Sequence, residues 1–316
     1  MSLLEARELI SIVVPVYNEA EVLEQLFSRL YLLSSELEHE LQCEMIFVDD
    51  GSSDGSLKIL RRHACENDSV RVVSLSRNFG HQAAVTAGID HSSGDYVALI
   101  DADLQDPPEL IAEMLQLAKK GNDIVYGQRL SREGDTIFKR STASVFYRAM
   151  NYLCDIDIPV DTGDFRLMTR RAVDAFSQLR ESHRFVRGMV PWIGFQAAAL
   201  PYHRQQRAAG NSKYPVSKML QLASEAMLSF STKPMSLVIR LGVSILILGV
   251  AFAIYILFLR LFSDTVVPGF TVIILLMTLL SGAQILIMGM IGAYIGRIFE
   301  QVKDRPLYIE RERINL

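Results

Sequence analysis

Two long uncharged stretches near the C-terminus constrain this chain more than any other feature. Between Arg240 and Arg260 runs LGVSILILGVAFAIYILFL, and between Asp264 and Arg297 runs a longer stretch that opens TVVPGF and closes IGAYIG. Crossing a bilayer core as a helix takes roughly 20 apolar residues. Both stretches meet that length, with Pro268-Gly269 as the turn between them. The pattern predicts two transmembrane helices, near 236–261 and 270–296. A buried soluble hairpin is the alternative, but soluble helices seldom run so far without a charge.

Charge placement orients the pair. The 316 residues carry a net −4, which divides into +3 from Lys233 onward and −7 before it. Lys233 and Arg240 precede the first stretch, Arg297, Lys303 and Arg305 follow the second, and the connecting SDTVVPGF has no Lys or Arg. The positive-inside rule then places both termini in the cytoplasm, with Arg260 able to snorkel at the outer end. MSLLEARELI is too short and too charged for a secretory signal. Cys43, Cys65 and Cys154 are odd in number and lack CxxC spacing, which supports neither a disulfide framework nor a zinc site and suits a reduced cytoplasmic domain. The net acidic balance excludes a bulk nucleic-acid binder, and 50% hydrophobic against 22% charged residues excludes a chiefly disordered chain.

The first 130 residues alternate strand and helix signals. SIVVPVY (11–17), MIFVDD (45–50), VRVVSLS, DYVALIDAD (95–103) and NDIVYGQR read as strands, separated by segments with helical apolar spacing. PPELIAEMLQLAKKG has Pro107-Pro108 at its start and Gly121 past its end, the usual helix punctuation. Such alternation predicts a doubly wound α/β sheet with mainly parallel strands, whose ligands bind at the carboxyl ends of the strands. Residues 138–153 read as a helix with mixed faces, and 163–205 show no regular pattern. YPVSKMLQLASEAMLSFS (214–231) is an amphipathic helix able to lie in the headgroup plane. The resulting organisation is a soluble α/β domain over 1–212, a juxtamembrane helix over 213–234, a transmembrane hairpin over 235–297 and a cytoplasmic tail over 298–316.

The predicted strand ends carry Asp49, Asp50, Asp101 and Asp103. Asp101 and Asp103, two residues apart just past a buried strand, can share a divalent cation, and Gln105 adds an amide oxygen on the same side. Hard oxygen ligands suit Mg²⁺ or Mn²⁺, which also bridge diphosphates. A helix-capping aspartate is the bland reading of that segment. Asp50 is read either as an acceptor for a base N–H or ribose hydroxyl or as a turn aspartate. No GxGxxG or GxxxxGK[ST] occurs, which argues against a dinucleotide oxidoreductase and a P-loop NTPase. Between Glu181 and Glu225 there is no acid, while Arg184, Arg187, Arg204, Arg207, Lys213 and Lys218 lie in that window. These residues either adhere to an anionic leaflet or bind phosphates, Arg207 and Lys213 flanking a Gly210-Asn211-Ser212 turn. Asp164 in TGDFRLM reads as a general base, a sugar-hydroxyl ligand or a structural carboxylate. His81 and His203 lack ligand spacing and read as packing or surface residues, and Trp192 as a packing or interfacial residue.

Taken in order, SIVVPVYNE, VDDGSSDGS, SRNFGHQAAVTAGI, DADLQDPPE, TGDFRLM, RAAGNSKY and two C-terminal spans resemble the family 2 glycosyltransferases that load sugars onto polyprenyl phosphates. The resemblance covers essentially the whole chain. It implies a GT-A fold and an inverting transfer from a nucleotide sugar, UDP-linked, to undecaprenyl phosphate at the bacterial inner membrane. By that resemblance Pro15, Tyr17, Glu19, Val48 and Asp50 hold the nucleoside; Asp101, Ala102, Asp103 and Gln105 form the metal–diphosphate segment, with Asp103 counted as catalytic. It further implies that Arg129, Arg140 and Ser144 grip the lipid phosphate, that Arg207 and Lys213 cover the donor diphosphate, and that Asp164 is the carboxylate proposed as base. The attacking phosphate monoester has a second pKa of about 6, so an orienting role for Asp164 suits the chemistry better than proton removal.

Glucose is the first expectation for the sugar, with N-acetylglucosamine and 4-amino-4-deoxy-L-arabinose derivatives behind it. A processive polysaccharide synthase fits less well, since the lone tryptophan, Trp192, sits in MVPWIGF and no QxxRW occurs. A non-catalytic membrane scaffold is the rival from another class, and the intact DAD, Gln105 and SKY segments count against it. Gly282, Ala283, Gly289, Gly292, Ala293 and Gly296 would permit close helix packing in a homo-oligomer.

Overall fold

The computed structural model describes residues 7–130, 162–203, 233–262 and 269–316. Its centre is an eight-stranded sheet. In chain order the strands are β1 (Leu9–Val16), β2 (Gln42–Asp49), β3 (Val70–Leu75), β4 (Tyr96–Leu99), β5 (Ile124–Arg129), β6 (Thr162–Thr169), β7 (Ala197–Tyr202) and β8 (Glu310–Ile314). They lie side by side as β7-β5-β6-β4-β1-β2-β3-β8. The β1–β2, β1–β4, β2–β3 and β5–β7 pairs are parallel, whereas β6 and β8 run antiparallel to their neighbours.

Helices cover both faces, as a largely parallel sheet requires. On one side α1 (Ala20–Leu37) presents Val22, Leu23, Leu26, Phe27, Leu30, Leu33 and Leu37, a stripe at helical spacing. It packs there with α2 (Ser56–Glu66) and α4 (Leu110–Lys119) over Ile10, Ile12, Val14 and Phe47. On the other side lie α3 (His81–Asp90), α5 (Arg170–Ser177) and α6 (Val186–Trp192), over Val13, Ile46, Val48 and Val73.

α3 is built from small residues because it sits very close to the sheet. A Cβ at Gly88 would collide with Val13 and lie 3.2 Å from Val48 Cγ2. Gly88→Ala is therefore expected to destabilise the protein by about 1–3 kcal/mol, read as a lowered thermal midpoint. An unchanged midpoint would mean that α3 can shift freely on the sheet.

The sequence pattern and the structure part in three places. β4 ends at Leu99 rather than running on to residue 103, so the Asp101–Asp103 carboxylates stand on a loop. The stretch 163–205, without visible pattern in sequence, contains β6, α5, α6 and β7. Its central strand is buried on both faces, with Asp164 and Arg166 interrupting the apolar run, and so it shows no alternation. The tail expected over 298–316 is not separate either. The last helix reaches Val302, and β8 pairs with β3 at the sheet edge.

That tail is fastened by several polar contacts. Tyr308 donates to Asp90 at 3.0 Å, His91 and Glu310 meet at 2.9 Å, Arg61 and Glu312 at 2.7 Å, and Asn315 Nδ2 donates to the carbonyls of Ala64 and Val70. Gln301, near the end of the last helix, bonds Ser182 N and the Arg180 carbonyl.

Two long apolar helices precede the tail, α7 (Lys233–Phe262) and α8 (Gly269–Val302). Ile247, Ile254, Met277, Ile285 and Met288 stand exposed along them. Among the described residues one segment, Leu280–Val302, is long and apolar enough to cross a membrane, and Val238–Phe252 is a shorter apolar stretch. The mixed helix expected over 138–153 and the amphipathic helix over 214–231 lie outside the described residues.

Candidate active site

The sheet gathers its chemistry at one end. The carboxyl ends of β1, β2, β3, β4, β5 and β7 lie there together, and because β6 runs the other way its first residues, Thr162 to Asp164, arrive at the same place. The loop after β4 alternates in burial. Asp101, Asp103 and Gln105 are half-buried, whereas Ala102, Leu104 and Asp106 are buried. Ala102 and Leu104 join the hydrophobic core. Leu104 holds φ at +59°, a conformation uncommon for a side chain of its size.

Asp164 lies at the centre of a buried charge cluster and is 2% exposed. Arg187 grips it with two parallel bonds, Nε to Oδ1 at 3.0 Å and Nη2 to Oδ2 at 2.9 Å. His81 Nε2 meets Oδ2 at 3.1 Å and lies 3.6 Å from Asp101 Oδ1. Arg166 bonds the carbonyls of Gly163 and Asp164 and stands 3.7 Å from the Asp164 carboxylate.

Burial alone would raise the Asp164 carboxyl, but the Arg187 and His81 charges hold it well below the ordinary range. Burial likewise opposes the His81 charge, yet the bond to Asp164 and the Asp101 charge lift its pKa to about 9. Burial pushes Asp101 up to about 6 and Arg166 down to about 10. His81, expected from its lack of ligand spacing to be a packing or surface residue, has 38% of its side chain exposed and is brought by the fold against Asp164 and Asp101. Its partners lie 20 and 83 positions away in sequence, so spacing carried no signal.

Asp101 Oδ1 is buried and without a hydrogen bond, an acceptor atom left for an incoming cation. His81, Asp101 and Asp164 bring possible ligand atoms within 4.8 Å of one another. Two of those three are already committed to each other and to Arg187. The hard-oxygen set of Asp101, Asp103 and Gln105 therefore fits Mg²⁺ or Mn²⁺ better. Asp103 Oδ1 accepts the Gln105 amide N–H at 3.1 Å, which closes that turn.

The residues expected at the nucleoside divide. Tyr17 is 43% exposed and Glu19 half-buried just beyond β1. Pro15 and Val48 are buried within their strands, and the Val48 side chain packs on α3. Asp50 spends its oxygens on the loop before α3, accepting the Phe79 and Gly80 amides at 2.7 and 3.0 Å. That loop passes Gly51 so closely that a Cβ there would lie 2.6 Å from the Arg77 carbonyl carbon, and φ at Gly51 is +69°. Ser52, Ser53 and Asp54 tie down the 18–20 segment through bonds with Asn18 and Ala20. Arg129 has only 10% of its side chain exposed and lies against Asp106 and Tyr202. Arg140, Ser144, Arg207 and Lys213 lie outside the described residues.

Comparison with known proteins gives this site a family. Residues 11–176 match the model for glycosyl transferase family 2. The uncharacterized glycosyltransferase YkcC of Bacillus subtilis is 46% identical over 299 residues, which span 95% of this chain and 92% of that one. The prophage-derived bactoprenol glucosyl transferase of Shigella flexneri is 36% identical over 300 residues, 95% of this chain and 96% of that one. Among solved structures, a mannosyltransferase from Pyrobaculum calidifontis in complex with GDP-Man and Mn²⁺ aligns over 96% of this chain and 89% of that one, at 16% identity and a TM-score of 0.46. With an α/β catalytic domain of GT-A type and a family model spanning just over half of its length, the chain belongs to glycosyl transferase family 2.

Proposed function

We propose that the protein transfers a sugar, glucose from UDP-glucose, to undecaprenyl phosphate at the cytoplasmic face of the bacterial inner membrane, with inversion at the anomeric carbon. The observation that carries this reading is a half-exposed carboxylate face, Asp101, Asp103 and Gln105, beside the Asp164–His81–Arg187 cluster. That face occurs in a chain that matches bactoprenol glucosyl transferases over 95% of its length.

The central difficulty of this reaction is bringing two anions together. The acceptor phosphate is largely dianionic at neutral pH, its second pKa being about 6, so it attacks without a strong base. Asp164, held well below the ordinary carboxylate range, is a poor proton acceptor. It serves instead to fix Arg187, whose side chain remains 34% exposed and whose guanidinium is placed to neutralise phosphate. Asp101, Asp103 and Gln105 would hold Mg²⁺ or Mn²⁺, which when bound neutralises charge developing on the leaving diphosphate. By the family resemblance Arg140 and Ser144 meet the lipid phosphate, and Arg207 and Lys213 close over the donor.

The membrane hairpin belongs to the same proposal. β8 pairs with β3, so the chain ends on the same side as the catalytic domain. A single crossing would strand β8 on the far side, so if α8 crosses then α7 crosses as well. The uncharged lengths of both helices and the basic residues flanking them support that topology.

A transfer assay tests the proposal: purified protein in detergent, undecaprenyl phosphate, Mn²⁺ and a panel of radiolabelled UDP-sugars. Label should enter the organic phase from UDP-glucose and stay out of it with EDTA. Label from another donor would correct the sugar, label that survives EDTA would remove the metal, and no label from any donor would overturn the acceptor.

A further inference from the structure

The buried side of the Asp101–Asp106 loop carries a second set of contacts that the transfer chemistry does not itself use. Asp106 is fully buried. The Tyr202 hydroxyl donates to Asp106 Oδ1, Arg129 Nε donates to the same hydroxyl at 3.2 Å, and Arg129 Nη2 stands 3.6 Å from Asp106 Oδ2. Arg129 and Tyr202 are the last residues of β5 and β7 and face each other in register. The Leu130 amide continues that ladder onto the Tyr202 carbonyl at 2.9 Å.

Two glycines make room for this set. A Cβ at Gly163 would collide with the Arg129 guanidinium, and one at Gly127 would lie 2.8 Å from both Tyr202 and Phe165. The Phe165 ring meets Tyr202 edge-on at 5.9 Å. Burial and the Asp106 charge raise the Tyr202 phenol, which keeps its proton for Asp106.

We propose that Asp106, Tyr202 and Arg129 form a positioning clamp that sets the loop so that Asp101, Asp103 and Gln105 face the donor. The alternation along the loop makes the connection direct: each outward residue is followed by an inward one, and among the inward residues Ala102, Leu104, Asp106 and Pro108 only Asp106 is polar. Ala102 and Leu104 hold the loop by packing alone, which tolerates sliding. Asp106 is held to two strand ends, by a hydrogen bond from Tyr202 and an ion pair with Arg129. Leu104, kept at positive φ, gives the loop a conformation that it would not keep unaided. Arg129 in this arrangement acts on the reaction through Asp106. The family resemblance had implied for it a direct grip on the lipid phosphate.

This inference rests on the transferase reading, and its test includes a measurement that stands apart from it. Tyr202→Phe removes one hydroxyl and keeps the ring, so the fold survives. Calorimetric binding of UDP at a series of Mn²⁺ concentrations, and the melting temperature, would be compared with wild type alongside transfer kinetics. The clamp predicts that Tyr202→Phe lowers kcat, and weakens Mn²⁺-dependent UDP binding, by about tenfold to a hundredfold. The KM for undecaprenyl phosphate should stay close to wild type, and the melting temperature should fall by no more than the loss of one buried hydrogen bond accounts for. Arg129→Gln should give the same split, with Arg129→Lys partly restoring it.

UDP binding and kcat left near wild type in Tyr202→Phe would overturn the proposal. So would an Arg129→Gln variant whose KM rises for undecaprenyl phosphate alone, because that is the signature of a direct acceptor ligand. Should the wild-type protein transfer to no lipid phosphate, the acceptor reading falls, and the UDP-binding comparison still decides the clamp.

Discussion

Asp103→Ala should abolish transfer and leave the fold standing. The side chain is half-buried on the outward face of its loop, and the residues on either side, Ala102 and Leu104, do the packing. Losing the bond from the Gln105 amide that closes the turn costs about 1 kcal/mol, so the melting temperature should fall only modestly. The chemical effect is of another order. Removing one neutral donor to a developing oxyanion already costs about a hundredfold to a thousandfold in rate. Asp103 supplies a full charge to the cation that would meet the diphosphate. Transfer with saturating Mg²⁺ or Mn²⁺ is therefore expected to fall by at least about a thousandfold. Turnover near wild type would remove Asp103 from the metal-holding set and leave Asp101 to act with other partners.

Asp164→Asn should cost both stability and activity, and separating the two is what makes it informative. The carboxylate is the common partner of Arg187, His81 and, at 3.7 Å, Arg166. Withdrawing its charge leaves cations facing one another in the interior. Breaking a buried pair from one side typically costs about 3–5 kcal/mol, which thermal unfolding would register. Replacing Arg187 by Gln in the same protein removes one of the stranded cations, so the double variant should recover part of the lost stability. On the proposed mechanism it should not recover transfer, because Arg187 is the cation that Asp164 holds ready for a reacting phosphate. If transfer returns together with stability, Asp164 and Arg187 form a structural pair and the phosphate is met elsewhere.

The sequence made the first half of the catalytic domain readable and hid much of the rest, for identifiable reasons. From β1 to β5 each strand is a short apolar run and most helices carry an apolar stripe, so the order of elements and the carboxylates at the strand ends were legible. β6 was not, because a strand buried on both faces shows no alternation, and Asp164 and Arg166 interrupt its apolar run. The partners of Asp164 come from α3 and α6, far away along the chain. Asp50 illustrates the opposite case. The motif around it suggested a nucleoside ligand, and the structure uses both its oxygens to hold the loop before α3. Asp106 gave no signal, since one acid among several beside the DAD segment does not reveal that it points inward. β8 falls in the stretch expected to be a cytoplasmic tail, and ERERI has the alternating charges that suit an exposed sheet edge.

The position of β8 also has a consequence for the order of assembly. The edge of β3 that it covers leaves the ribosome roughly 235 residues before β8 does. At ordinary translation rates of about 5–20 residues per second that interval is roughly ten to fifty seconds. Throughout it the catalytic sheet has an open edge, and the only strand that closes it is still being made. Closure requires the two apolar helices to have been synthesised first. The last strand of the sheet thus doubles as a checkpoint: a chain cut short after its second helix keeps an unpaired edge on β3.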